Sequence, residues 1–377
     1  MSSPATQKSQ AQLAATSPAV TRIAPLAYLR PSLPARTLLH AGPPFADPRD
    51  LPTPVFNSVA AACRHEGWAE TPNAVSDALA DGTVFLAAAQ DHDVVTPLAF
   101  VVGPSMYSLE VSDLAAPGRS KISPLNDGPL PYALRLGAGH DEGVAIVQRL
   151  TDGLGAEMAA HLRAPVPLLP ILASAIAAGD DLHGRVDAAQ MSVRGLFDDG
   201  LSPQAEGYLE QANQFVLNII MAGSAVMIAA GAGVPESQMV VAVGGNGREM
   251  GWKLAGNERT WITAHATAPV GGRMPGHEGI DPLPAIGDSA VIDAVGFGAA
   301  CLRFAPALAQ TLAAHIPADF FTEEAHAPFI GQHPELPESV HVGLDLTRSR
   351  RVLGIMLGMV GPKGEGLIGR GVAPWPV

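Results

Sequence analysis

Phe215-Val216-Leu217-Asn218-Ile219-Ile220-Met221-Ala222-Gly223-Ser224-Ala225-Val226-Met227-Ile228-Ala229-Ala230-Gly231-Ala232-Gly233-Val234 contains no charged residue. Its length suits a bilayer-spanning helix. Its content argues against one, because Asn218, Ser224 and three glycines interrupt a run with few large apolar side chains. The flanking Glu210 and Glu236 give no positive-inside signal. The stretch reads as the small-residue core helix of a globular fold, spanning 206–230, and no membrane partner is expected.

Working outward, residues 151–234 form a mainly helical domain, with a second apolar helix over 168–178 that Gly179 can end. Upstream, 36–150 reads as a mixed domain. Val55, Val59, Ala62 and Cys63 recur at helical spacing over 54–66, and 83–89 and 98–102 are buried-strand candidates. Downstream, 235–377 mixes strands at 239–243, 250–254, 340–346 and 352–360 with a helix over 289–315. The fold class is α+β (mixed α/β), two mixed lobes with a small helical domain between them. Residues 1–35 are rich in Ala, Ser, Thr, Gln and Pro and are predicted to be a disordered tail. They lack the apolar core of a secretory signal; their lack of acidic residues is shared with organelle transit peptides.

The chain has 377 residues, 47% of them hydrophobic, enough to bury a sizeable core. Acidic residues outnumber basic ones 36 to 23, a net charge of −13. Nucleic acid is bound mainly through Lys and Arg clusters, so such a partner is not expected. Cys63 and Cys301 provide no disulfide framework and no paired metal spacing. A reducing, cytoplasmic setting, a metabolic role and no cofactor are the expectations.

No P-loop lysine, His-Glu-x-x-His, Gly-x-Ser-x-Gly or dinucleotide fingerprint is present. The chemically densest segment is Gly179-Asp180-Asp181-Leu182-His183-Gly184-Arg185. His183 and Arg185 suit a carboxylate or phosphate, with Asp181 orienting one of them; the bland alternative is helix capping and a surface ion pair. Asn246-Gly247 is a strong hairpin signal whose structural reading outweighs a binding one. Asp288-Ser289, after Gly287, suits a helix N-cap or the seat of an anion. Arg135, between two leucines and shortly after Asn126-Asp127-Gly128, needs an anionic partner if buried, either internal or a ligand. Asn218 needs a hydrogen-bond partner if buried.

In order, these segments resemble the YlbE-like family, which includes a subunit of oxamate carbamoyltransferase from allantoin degradation. The resemblance runs over about 37–377. It rests on Leu39-His40-Ala41-Gly42-Pro43-Pro44, Val102-Gly103-Pro104, Asn126-Asp127-Gly128, Leu134-Arg135-Leu136-Gly137-Ala138, the 179–185 heptad, Asn218 with Met221-Ala222, Asn246-Gly247 and Ile286-Gly287-Asp288-Ser289. It implies action on carbamoyl or amide metabolites, a homo-oligomer and partner carbamoyltransferase subunits. It also adds His40 to the substrate-binding set of Asn126, Arg135, Asn218, Gly247, Asp288 and Ser289. The family tends to place Asn where this chain has Gly184, Arg where it has Gly245, and Asn-Thr-Gly-Ile-Ala where it reads Asp345-Leu346-Thr347-Arg348-Ser349. Those departures imply a changed substrate or a lost activity.

Carbamoyl transfer from a donor such as carbamoyl phosphate needs basic groups for the anion and hydrogen-bond donors for the carbamoyl oxygen. Arg135, His183 and Arg185 are the anion candidates, and Asn126 and Asn246 the donors; His183, Arg185, Asp181 and Asn246 form the expected catalytic set. A ureide or amide hydrolase or lyase would use the same pocket with water in place of the acceptor. A non-catalytic scaffold subunit is the reading from a different class.

Overall fold

The computed structural model describes residues 2–128 and 131–376. It is a mixed α+β fold, as expected. One four-stranded sheet runs in the order Ser120–Pro124, Tyr107–Asp113, Pro18–Pro25, Val166–Pro167. A second runs Ile286–Gly287, Val240–Asn246, Glu249–Leu254, Asn257–His265, and a third Val270–Arg273, Leu367–Pro374, Gly354–Val360. Two small sheets complete the fold: Thr37–His40 lies parallel to Phe85–Ala88, and Phe329–Gln332 antiparallel to His341–Leu344.

The apolar stretch is a helix from Phe215–Ala229, and nearly all of its residues are buried. It packs on the first sheet, on strand Val240–Asn246 and on helix Ala290–Val295. Small residues make that possible; a Cβ at Gly223 would lie 2.8 Å from Leu168. Among the described residues no single helix is long and apolar enough to cross a membrane.

Several expectations are corrected. Residues 4–25 are built into the fold, not a disordered tail. Ser3 caps helix Pro4–Ala14, and Pro18–Pro25 is an inner strand pairing Tyr107–Asp113 on one side and Val166–Pro167 on the other. Low charge and small residues suggested disorder, yet Leu13, Val20 and Ile23 are enough to bury the segment. The helix expected over 206–230 is two helices, Pro203–Gln211 and Phe215–Ala229, bent by 74°. Gln190 stabilises the break, donating to Ala212 O and accepting from Val216 N. Residues 98–102 form no strand: Leu98 takes φ +46 and only Val102 makes a ladder bridge, to Leu39. The helix expected over 289–315 breaks into Ala290–Val295, a 3-10 turn Gly298–Phe304 and Pro306–Leu312. Gly296 and Gly298 at positive φ, then Pro306 without an N–H, interrupt it.

Candidate functional site

Helix Leu169–Ala177 ends at Gly179, φ +99, and the heptad loop follows. The Asp181 carboxylate shapes it by accepting from Gly184 N at 2.9 Å and Arg185 N at 2.5 Å. Its carbonyl accepts from Gly298 N at 2.7 Å. Asp181 thus faces its own loop, and burial raises its pKa.

That loop delivers His183 to a partly open cavity of about 60 Å³, whose wall also includes Leu98, Arg135, Ser289, Met356 and Arg370. A buried water needs about 10–15 Å³, so the space takes a few waters or a ligand of a few heavy atoms. His183 Nδ1 shares a hydrogen bond with Asp293 Oδ2 at 2.7 Å. The other oxygen of Asp293 accepts from Ala299 N at 2.8 Å and Met356 N at 3.1 Å. Gly298 permits this approach, since a Cβ there would lie 2.2 Å from Asp293 Oδ1. With Nδ1 turned onto the carboxylate, Nε2 is the ring nitrogen left without a hydrogen-bond partner among the described residues.

Arg135 stands on the short turn Leu134–Leu136 and is almost fully buried. Its partner is internal: the guanidinium pairs with Asp127 and donates to Gly128 O at 3.0 Å, while its backbone N–H donates to Asp127 Oδ2 at 2.7 Å. Arg370 donates to Gly184 O at 2.6 Å and has no carboxylate partner among the described residues. Arg185 lies outside the cavity, in an adjoining cleft of about 640 Å³ that shares Gly184, Gln214, Leu367 and Arg370 with it. Asp180 at 3.6 Å and Asp187 at 3.4 Å hold Arg185 loosely.

The remaining expected residues are not brought to this cavity. Asn126 donates to Asn218 Oδ1 at 3.0 Å, and Asn218 donates to Pro124 O at 2.9 Å, a buried amide pair clipping the 123–128 segment to the central helix. Asn246 donates to Pro43 O at 3.0 Å and accepts from Arg248 N and Glu249 N, with Gly247 at φ +83 turning the hairpin. Asp288 does not cap a helix. It accepts from Gly42 N at 2.9 Å, Thr96 N at 2.9 Å and Gln90 Nε2 at 2.6 Å, and burial pushes its pKa up to about 7. His40, with Nδ1 on Ala41 O at 2.7 Å, is held neutral by burial, its pKa lowered to about 4.

Of the three departures from the family pattern, only Gly184 lines the cavity. A Cβ there would meet Leu308 at 2.7 Å and Met356 at 2.9 Å, so those side chains occupy the place of a larger residue. A Cβ at Gly245 would lie 2.3 Å from Ala285 O. Asp345 turns onto Thr347, at 2.7 Å from its hydroxyl. Sequence reasoning missed Asp293, Asp127 and Arg370 as site residues. Asp293 was findable as the carboxylate one helical turn after Ser289; Arg370 carried no signal. Cys63 and Cys301 are free and buried, with thiol pKa values raised by burial. Among the described residues no group of three or more His, Cys, Asp or Glu is arranged to hold a metal ion.

Comparison with known proteins supplies a family. Oxamate carbamoyltransferase subunit AllG of Escherichia coli (strain K12) is 27% identical over 291 residues, 74% of this chain and 69% of that protein. Uncharacterized protein YahG of the same strain is 24% identical over 368 residues, 92% of this chain and 77% of that one. The crystal structure of a conserved protein of unknown function from Enterococcus faecalis V583 shares the fold, with a TM-score of 0.90 over 99% of this chain and 94% of that one at 22% identity. The family model for oxamate carbamoyltransferase subunit AllG matches residues 84–289, which include Arg135, His183 and Ser289 and stop short of Asp293 and Arg370. Because that match spans more than half of the chain, the protein belongs to the AllG family of oxamate carbamoyltransferase subunits.

Proposed function

We propose that this chain is a carbamoyl-transfer subunit that holds a small amide-bearing anion of the oxamate type in this cavity. The observation that carries the reading is the meeting of Arg135, His183, Ser289 and Arg370 on one cavity wall. Arg370, with no carboxylate partner among the described residues, attracts the carboxylate of the ligand. An amide nitrogen is a poor nucleophile until a proton leaves it, and the Nε2 of His183, oriented by Asp293, is placed to take that proton. Carbamoyl phosphate is the donor in this reading. Other carbamoyltransferase subunits and a homo-oligomer are its partners, and ureide nitrogen metabolism in the cytoplasm, as in allantoin degradation, its setting.

The test combines the purified chain with carbamoyl phosphate and oxamate, alone and with the products of neighbouring genes, and follows phosphate release and carbamoylated oxamate. Activity that requires both the chain and His183 is expected. One observation favours a second reading, a scaffold subunit: the charge of Arg135 is already matched by Asp127. An assembled enzyme that keeps full activity with His183→Asn would establish that reading in place of the first.

A further inference from the structure

We infer that Ser289 is the nucleophile of this cavity, activated by His183 and oriented through Asp293, so that group transfer passes through a covalent seryl intermediate. The inference rests on the reading of the cavity as the reaction site and adds a chemical step to it. Among the described side chains that line the cavity, Ser289 carries the one hydroxyl and His183 the one imidazole, the groups able to attack a carbonyl or to serve as its base. Ser289 is 3% exposed, and its hydroxyl has no hydrogen-bond partner among the described residues. The hydroxyl is not sealed in the protein interior, and on a residue that lines the cavity it is available to a ligand.

The backbone around Ser289 is fixed for this task. It follows the short strand Ile286–Gly287 and immediately precedes helix Ala290–Val295, in unstrained helical backbone geometry at φ −59 and ψ −15. Gly287 takes φ +117, and a Cβ there would lie 2.8 Å from Leu98 N, so the turn admits glycine alone. Asp288, tied to Gly42, Gln90 and Thr96, locks the preceding residue. Asp293 lies one helical turn beyond Ser289, so the nucleophile and the residue that positions its base are carried by the same rigid segment. No hydrogen bond joins Ser289 to His183 here; contacts between a nucleophile and its base commonly tighten only when substrate is bound.

In the first half-reaction Ser289 Oγ bonds to the carbonyl carbon of a carbamoyl or acyl donor with an oxyanion leaving group, the acyl-phosphate class. His183 Nε2 takes the hydroxyl proton and passes it to the departing oxygen, which leaves with the bonding electron pair. In the second half the nitrogen of the acceptor amide bonds to the same carbon, the carbon–Oγ bond breaks, and His183 carries the nitrogen's proton back to Oγ. Atoms and charge balance without a redox partner.

The test treats the full chain with methanesulfonyl fluoride, a small serine reagent, and reads intact mass and peptide maps. One adduct at Ser289 is expected, absent in Ser289→Ala. It should form about tenfold or more slowly in Asp293→Asn, with a changed pH dependence of the labelling rate. Ser289→Cys gives an independent arm. Its thiol should react with iodoacetamide at neutral pH, whereas Cys63 and Cys301 are buried with raised thiol pKa values. A chain that binds oxamate but labels at neither Ser289 nor its Cys replacement overturns the nucleophile and leaves the proposed function standing. Labelling at Ser289 in a chain that supports no carbamoyl transfer, alone or assembled, does the reverse.

Discussion

Asp288 and Ser289 are neighbours in the chain, yet they belong to two buried polar clusters of opposite character. Asp288 sits where three segments meet, and its oxygens accept from Gly42, Thr96 and Gln90, while Gln90 in turn clamps Val243 through both ends of its amide. The cluster is saturated. Ser289 faces the cavity with an open hydroxyl, beside a histidine with one nitrogen committed to Asp293 and the other free. Both clusters are costly to bury, but the first recovers the cost within the protein and the second leaves groups open for a ligand. Saturation separates a knot from a site better than residue type does: Asn126, Asn218, Asn246 and Asp288 all have the chemistry of ligand residues and all are used internally.

The largest effect that would sharpen this contrast is expected at the open cluster. Asn at 183 can keep the hydrogen bond to Asp293 while removing Nε2. His183→Asn should therefore lower carbamoyl transfer by about 10²–10⁴-fold with little change in melting temperature. Unchanged turnover in the assembled enzyme would erase the distinction between the clusters.

At the saturated cluster the loss should be in stability. Asp288→Ala leaves three N–H donors unpaired, at about 1–3 kcal/mol each, so unfolding free energy should fall by about 3 kcal/mol or more in denaturant titration. A loss below about 1 kcal/mol would show that the knot does not hold its three segments together.

The same neighbourhood predicts opposed pH slopes. His40 has a pKa lowered to about 4 in the fold against 6.5 unfolded, so its contribution to stability is present above about 6.5 and lost as pH falls toward 4. Asp288 is raised to about 7 from 3.8, so its contribution is present below 3.8 and lost as pH rises through 7. Relative to wild type, His40→Asn should be spared part of the acid-side loss, about 3 kcal/mol at full effect. Asp288→Asn should abolish the fall toward neutrality. Parallel pH curves for all three proteins would contradict both assignments.

The smallest expected effect is at the cavity rim. Gly184→Ala pushes a methyl against Leu308 and Met356, at a cost of about 1–2 kcal/mol by overpacking. Because the rim tightens, oxamate affinity measured by calorimetry should fall more than stability does. Affinity equal to wild type would place the ligand elsewhere.

Much of this architecture is legible without coordinates. The small-residue helix, the helix at Thr53–His65, the hairpin at Asn246-Gly247 and the strands near 340 and 354 follow from periodicity and turn chemistry, which act over a few residues. The N-terminal strand was hidden because its partners lie far along the chain, at Tyr107–Asp113 and Val166–Pro167, and its own composition resembles that of a tail. The breaks at 212 and 296 were hidden for a related reason: a glutamine from another helix compensates the first, and close backbone packing selects the glycines of the second.

For the site, the sequence by itself determined the inventory: a heptad rich in ionisable groups, a buried arginine, several amides and a serine after Gly-Asp. It could not assign them, because one-dimensional spacing records which groups are available and not which of them satisfy each other. Asp293 meeting His183 and Arg370 arriving from the last strand are long-range meetings fixed by tertiary packing, whereas Asp127 meets Arg135 across only eight residues of chain. Only the tertiary structure decided which polar groups end in closed hydrogen-bond shells and which line a cavity, because burial makes an unpaired group costly and pairing is settled by residues brought together in space.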